Sequence, residues 1–244
     1  MELGILLRIV FVKIFSKFFP SKKSKIILYH DLYGKRSYTD MATSIELFKI
    51  HINIIKNEGF EIVPEITKGT GQIQITFDDA FLGIYDNFNV IEDLNIPIKL
   101  FVVTSFFNKD NYLNEEQLKK IASSKLISIG SHTHTHKRLY DLTNSEIEYE
   151  LSYSKKLLEE LLLCEVTDLC YPEGKFDGRV IGIAKKLAYR KQFSLIPGEF
   201  NDEVFPNVKR RNLVQDADSS YFRAILYGGN NFLSFWYMKK HFKI

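Results

Sequence analysis

The chain has 244 residues, 45% of them apolar and 26% charged, with a net charge of +3. That length suits one barrel-sized or doubly wound domain whose core needs no crosslinks. The small charge, without a basic cluster set among aromatics, excludes a nucleic-acid partner, and the two cysteines, Cys164 and Cys170, lie outside any C-x-x-C pattern and read as buried thiols rather than a disulfide framework.

Residues 1–20, MELGILLRIVFVKIFSKFFP, are apolar and basic, but Arg8, Lys13 and Lys17 interrupt each apolar run. A membrane-spanning helix needs about 20 mostly apolar residues. No small-residue cleavage site follows a clean apolar stretch, so a signal peptide is not expected either. Two readings stay open: a basic amphipathic helix on an anionic membrane surface, or a helix packed on the domain with its cations in water. Residues 21–244 read as one domain.

KIILYH (25–30) predicts a short buried strand ending on a histidine. A helix follows over 43–59, with Ile45, Phe48, Ile52 and Ile55 on one face and Gly59 just past its end. FEIV (60–63) and QIQITF (72–77) predict strands, the second running into Asp78 and Asp79. Residues 85–95 predict a helix and IKLFVVTS (98–105) a strand. Asn114 caps a helix over 115–124, and KLISIGSH (125–132) is the next strand. Thr143 and Glu146 form a capping box before a long amphipathic run to residue 163. Strands over 166–172 and 190–196 flank a helix over 178–188. A helix over 219–228 and a helix or buried segment over 232–242 close the chain.

This alternation implies a largely parallel sheet with helices outside it, open or closed into a barrel. Such folds gather their chemistry at the carboxyl ends of the strands. His30, Asp78, Asp79, His132 and the Pro172–Gly174 turn all fall at or just past predicted strand ends.

Two adjacent carboxylates at the tip of a buried strand repel each other, so they either cap backbone N–H groups or meet a cation. In IGSHTHTH, three of the six histidines fall within five residues, and His132 and His136 have the spacing that turns two imidazoles toward one ion. His134, between them, points elsewhere. One carboxylate and two imidazoles leave positions open for water and substrate, with the second aspartate beside that water. His30 reads either as a histidine of this chemistry or as a core residue bonded to backbone, and His51 as a surface or packing residue.

TFDDAF (76–81), GSHTHTH (130–136) and CYPEGKFD (170–177), in this order, resemble the polysaccharide deacetylases of the NodB homology domain, carbohydrate esterase family 4. The resemblance spans roughly 25–226, and LYHDL (28–32) resembles the poly-N-acetylglucosamine deacetylase branch. It implies an α/β fold, a distorted (β/α) barrel of the NodB type. It also implies hydrolytic removal of N-acetyl groups from an N-acetylated sugar in a polysaccharide or glycan precursor. Carried over by position, Asp78 is the general base, Asp79, His132 and His136 are the metal ligands, and His30 is the acid that protonates the departing amine. The backbone N–H of Glu173 helps hold the oxyanion. The implied cofactor is one divalent transition metal, zinc first, with cobalt, nickel or iron also compatible.

The chain departs from the family pattern at three places. Ala80 follows the Asp pair where glycine is common, and Cys170 stands where an arginine is common. Glu173 stands where an aromatic residue is common. NVKRRNLV (207–214) resembles a late segment that brings in the missing arginine, a role assigned to Arg210 with Arg211 as runner-up. These departures keep two other readings open: a catalytically silent glycan-binding or scaffold protein, and an amidohydrolase for a small non-sugar amide. The expected location is cytoplasmic, at the inner face of the membrane, with peripheral contact through residues 1–20.

Overall fold

The structure, a computed structural model, describes residues 3–202 and 205–242. Met1 and Glu2, part of the expected N-terminal helix, lie outside the described residues. The elements in chain order are α1 (Leu3–Phe18), β1 (Lys25–Tyr29), β2 (Asp31–Tyr33), β3 (Ala42–Ser44), α2 (Ile45–Asn57), β4 (Glu61–Ile62) and β5 (Gln72–Phe77). They continue with α3 (Gly83–Asp86), α4 (Phe88–Leu94), β6 (Ile98–Val102), α5 (Glu115–Ala122), β7 (Ile127–Ser131) and α6 (Asn144–Leu162). The last are β8 (Asp168–Cys170), α7 (Gly178–Lys186), β9 (Lys191–Phe193), β10 (Val208–Lys209), β11 (Asn212–Leu213), α8 (Ser219–Leu226) and α9 (Leu233–Phe242).

The main sheet is parallel throughout and runs β10-β9-β8-β7-β6-β5-β1-β11, with β4 also paired to β5. Its two outer strands, β10 and β11, are halves of one short segment. Val208 pairs with Gln192 of β9, and four residues later Asn212 pairs with Ile27 of β1. The segment therefore bridges both edges and closes the sheet into a distorted (β/α) barrel. Neither half is long enough to carry a periodic signal, and the sequence reading missed both. It also missed β2 and β3, a separate two-stranded pair.

Side-chain alternation sorts the strands' residues between barrel interior and helical shell. On β5, Ile73, Ile75 and Phe77 join the large core against the helices, while Thr76 Oγ1 bonds the Ile27 carbonyl and lies 3.3 Å from Arg211 Nη1. Ile26, Phe101, Cys170 and Phe193 form a smaller core of their own. Gly130 of β7 leaves room for the Phe101 ring, since a Cβ there would stand 2.5 Å from a ring carbon and 3.2 Å from the Asp168 carbonyl oxygen. Gly130→Ala is therefore expected to destabilise by roughly 1–3 kcal/mol through overpacking, read as a lower urea midpoint with an unchanged slope.

Helix ends follow local chemistry. Asn114 and Thr143 both form complete capping boxes, with Gln117 and Glu146 respectively. Helix α2 buries Phe48, Ile52 and Ile55 together with His51. His51 is a packing residue: it bonds the Tyr29 hydroxyl and the Ala217 carbonyl and stacks on Phe222 at 3.9 Å. Cys170 is buried as expected, but Cys164 is exposed because it follows α6 in the turn before β8. Helix α1 packs on α8 and buries Val12. No described helix is long and apolar enough to cross a membrane.

Candidate active site

The carboxyl ends of β1, β5, β7 and β8 converge on one rim, joined there by the β10–β11 segment. Immediately past β5 the backbone turns sharply, with Asp79 at φ 70° and Ala80 at φ 59°. Two successive left-handed residues without glycine are strained. Alanine in the glycine position of the family pattern thus keeps the turn, at a conformational cost. Thr133, His136 and Glu173, in the other loops that carry the polar groups, also have positive φ.

Asp78 points inward and is gripped by Arg211: Nη1 donates to Oδ1 at 2.7 Å and Nη2 to Oδ2 at 2.8 Å. The expected partner, Arg210, does not make this contact. It turns the other way, to Asp202 at 3.1 Å and to the Pro197 carbonyl at 3.2 Å. The reason lies in the extended backbone of the closing segment, where successive side chains leave on opposite sides. Only the second arginine faces the barrel interior. There Arg211 also bonds the Ser194 carbonyl and the Cys170 sulfur, and its guanidinium lies 5.4 Å from the centre of the Phe101 ring. Cys170 therefore does not replace the arginine of the family pattern; it accepts a bond from one supplied elsewhere. Burial would raise the pKa of Asp78, but Arg211 and then His132 override it and hold the carboxylate well below the usual range.

Asp79 has the opposite surroundings. Its Oδ1 is buried and has no hydrogen-bond partner among the described residues. That atom stands 3.5 Å from His132 Nε2 and 3.4 Å from His136 Nε2. Donors on one tetrahedral ion at ~2.1 Å lie about 3.4 Å apart, so both carboxylate–imidazole distances fit one ion, and all three atoms lie within 4.8 Å of one another. His132 Nδ1 donates to the Cys170 carbonyl at 2.9 Å, which leaves Nε2 as the lone-pair nitrogen. Burial pushes the His132 pKa down to about 3 and also lowers that of His136, so both rings are neutral, as ligands must be. Burial, then the neighbouring Asp78 charge, raises Asp79 to about 7. Asp78, His132 and Cys170 form a second triple of possible donors. Arg211 already supplies the cation of that triple, so the Asp79 set is the one that fits a metal.

Other residues hold these groups in place. The loop after β7 is clamped by the buried Glu150 of α6, which accepts from the His134 and Thr135 amides at 3.0 and 2.7 Å and from the Thr135 hydroxyl. His134 itself turns away and bonds Thr104 Oγ1 at 2.9 Å. His30 Nδ1 donates to Gln215 Oε1 at 2.6 Å, and the ring lines a cleft that also reaches Arg211. The sequence reading found neither Glu150 nor Gln215. A glutamate within an amphipathic helix and a glutamine in a loop carry no local mark of what they touch. Glu173 directs its side chain outward to Arg138 at 2.7 Å, while its backbone stays on the Pro172–Gly174 turn past β8. A cavity of about 780 Å³ that includes Lys99 and Asp168, at the opposite strand ends, is unrelated to this cluster.

Fold and site together place a cluster of candidate reactive groups at the carboxyl rim of a (β/α) barrel. The family model "Polysaccharide deacetylase" matches residues 65–191, more than half of the chain, and the chain belongs to that family. It is 25% identical over 187 residues to YxkH of Bacillus subtilis (strain 168), itself named for the same family; the match covers 72% of this chain and 66% of that protein. Two solved structures share the fold. BC0361, a polysaccharide deacetylase from Bacillus cereus, superposes with a TM-score of 0.72 at 24% identity, covering 84% of this chain and 69% of that one. IcaB from Ammonifex degensii superposes with a TM-score of 0.75 at 19% identity, covering 86% and 99% respectively.

Proposed function

We propose that the chain removes acetyl groups from an N-acetylated sugar of a glycan or glycan precursor by metal-assisted hydrolysis. The observation that carries this reading is the orphaned Asp79 Oδ1 between two imidazole nitrogens, one residue away from a carboxylate held ionised by Arg211. Asp79, His132 and His136 would hold the cation. Zinc is the first choice for this donor set, and cobalt, nickel and iron are compatible with it. When bound, such an ion supplies Lewis-acid polarisation of a carbonyl and activation of water.

Asp78 accepts the proton of the attacking water, and Arg211 fixes the carboxylate's direction. The acetyl carbon gains a C–O bond while its C–N bond breaks. His30, oriented by Gln215, gives a proton to the leaving nitrogen, so acetate and a free amine result. The Glu173 N–H serves as a donor to the oxyanion. His30 from the Tyr29-His30-Asp31 stretch and Arg211 from the closing segment both support the poly-N-acetylglucosamine-type branch.

Metal content tests the reading without knowledge of the sugar. Wild-type protein is expected to carry near one equivalent of a transition metal by elemental mass spectrometry, and His132→Ala to lose it. No metal in the wild type, even after incubation with zinc or cobalt, would sink the proposal in favour of a silent scaffold. The metal-free protein also has a pH signature. A ligand carboxylate must release its proton to bind, so zinc affinity is expected to fall as pH drops below about 7, where Asp79 becomes protonated.

A further inference from the structure

Next to the hydrolytic cluster lies a cleft of about 380 Å³, of whose lining the chemistry above uses only His30 and Arg211. His30 and Arg211 reach it from the barrel side, and Leu195 and Leu213 give it apolar walls. Arg8 of α1 and Trp236 of α9 line it from the two terminal helices. Leu28, Pro197 and Leu233 complete this apolar lining, which suits an aliphatic chain, while Tyr221, Asn230 and Tyr237 supply the polar atoms of the wall. Arg8 adds a planar cationic fork of the kind that matches phosphate oxygens.

Helix α1 also carries an exposed apolar stripe. On α1, Leu7, Phe11, Ile14 and Phe18 recur at helical spacing and are 49, 57, 46 and 74% exposed, while Val12 is buried. A helix that needed only to pack on its domain would turn such a stripe inward. The described part of α1 carries Arg8, Lys13 and Lys17 and no carboxylate. Phe15 of α1 contacts Phe232, just before α9, with ring centres 5.1 Å apart, which ties the two helices together beside the site. Trp236, lining the cleft, is itself 65% exposed.

We infer that this cleft binds the carrier end of the substrate, an apolar chain joined through phosphate to the N-acetylated sugar, with the phosphate at Arg8 and the chain passing onto the exposed face of α1. The inference rests on the deacetylase reading and narrows its substrate class to sugars on a phosphate-bearing lipid.

Trp236 is the chain's one tryptophan, so its emission reports on the cleft. Titrating the full chain with farnesyl phosphate, below the concentration at which it aggregates, is expected to give a saturable blue shift. Farnesol should bind roughly tenfold more weakly, and Arg8→Gln should weaken farnesyl phosphate to the level of farnesol, the loss of one charge-assisted contact. Equal affinity for farnesol and farnesyl phosphate in the wild type would overturn the phosphate site. A shift with phosphatidylglycerol vesicles but none with farnesyl phosphate would also overturn it, leaving α1 as a membrane-docking helix only. So would light scattering that shows α1 buried in a dimer, with dissociation by Phe11→Glu. None of these readouts uses acetate release. A protein that binds farnesyl phosphate but carries no metal would fail as a deacetylase and keep its cleft; the converse result would separate the two in the other direction.

Discussion

Asp78→Asn is expected to retain the metal and to lower kcat for acetate release by roughly 10²–10⁴-fold, the usual contribution of a positioned base. The amide has nearly the carboxylate's shape but cannot take a proton from water. One of its two positions becomes an NH₂ group facing an Arg211 donor, where the native contacts are 2.7 and 2.8 Å. Some loss of stability should accompany the loss of turnover. Asp79→Asn, one residue on, should act differently, because it removes the charged member of the ligand set and with it the metal. Comparing metal content and kcat in the two variants separates the roles of adjacent aspartates. Unimpaired acetate release by Asp78→Asn would remove the mechanism. Asp78 does not set the acid limb of a pH profile, since against the effect of burial its partners keep it ionised far below the working range.

Arg211→Met is expected to cost about 3–5 kcal/mol of stability in addition to activity, because it leaves a buried carboxylate without its cation. Both members of the pair are almost inaccessible to water, and burial alone would then push the Asp78 pKa upward. Arg210→Met should cost far less. Its partner Asp202 is largely exposed, so water can solvate the charge left behind. The double variant Arg211→Met/Asp78→Leu should recover part of the lost stability, since it removes both charges, while remaining inactive. Urea melts of the wild type, Arg211→Met, Asp78→Leu and the double variant give the coupling energy directly. Equal losses for Arg210→Met and Arg211→Met would show that the inward-facing pair is not the one that matters.

The Arg210 assignment shows where sequence reading stopped. Signals carried by a local pattern were legible: the N-cap at Asn114, the capping box at Thr143, the apolar face of α2, and the run of strand tips ending in His30, Asp78 and His132. Ordered motifs were also enough to indicate the family and the candidate donors Asp79, His132 and His136. These signals are local because a cap, a helical face or a strand tip is made by residues close in the chain.

The closing of the barrel is different. Val208–Lys209 and Asn212–Leu213 are strands only because β9 and β1 lie on either side, with paired residues 16 and 185 positions away in the chain. That pairing sets which of two neighbouring arginines faces inward, and a shift of one residue exchanges their sides. Glu150 and Gln215 become positioning residues for the same reason, since each acts on a loop brought to it by another element. The sequence by itself determined the helices and the longer strands, the family and the candidate reactive groups. Only the tertiary structure decided which cation meets Asp78 and where the terminal helices stand beside the site, because pairing between distant segments has no local signature.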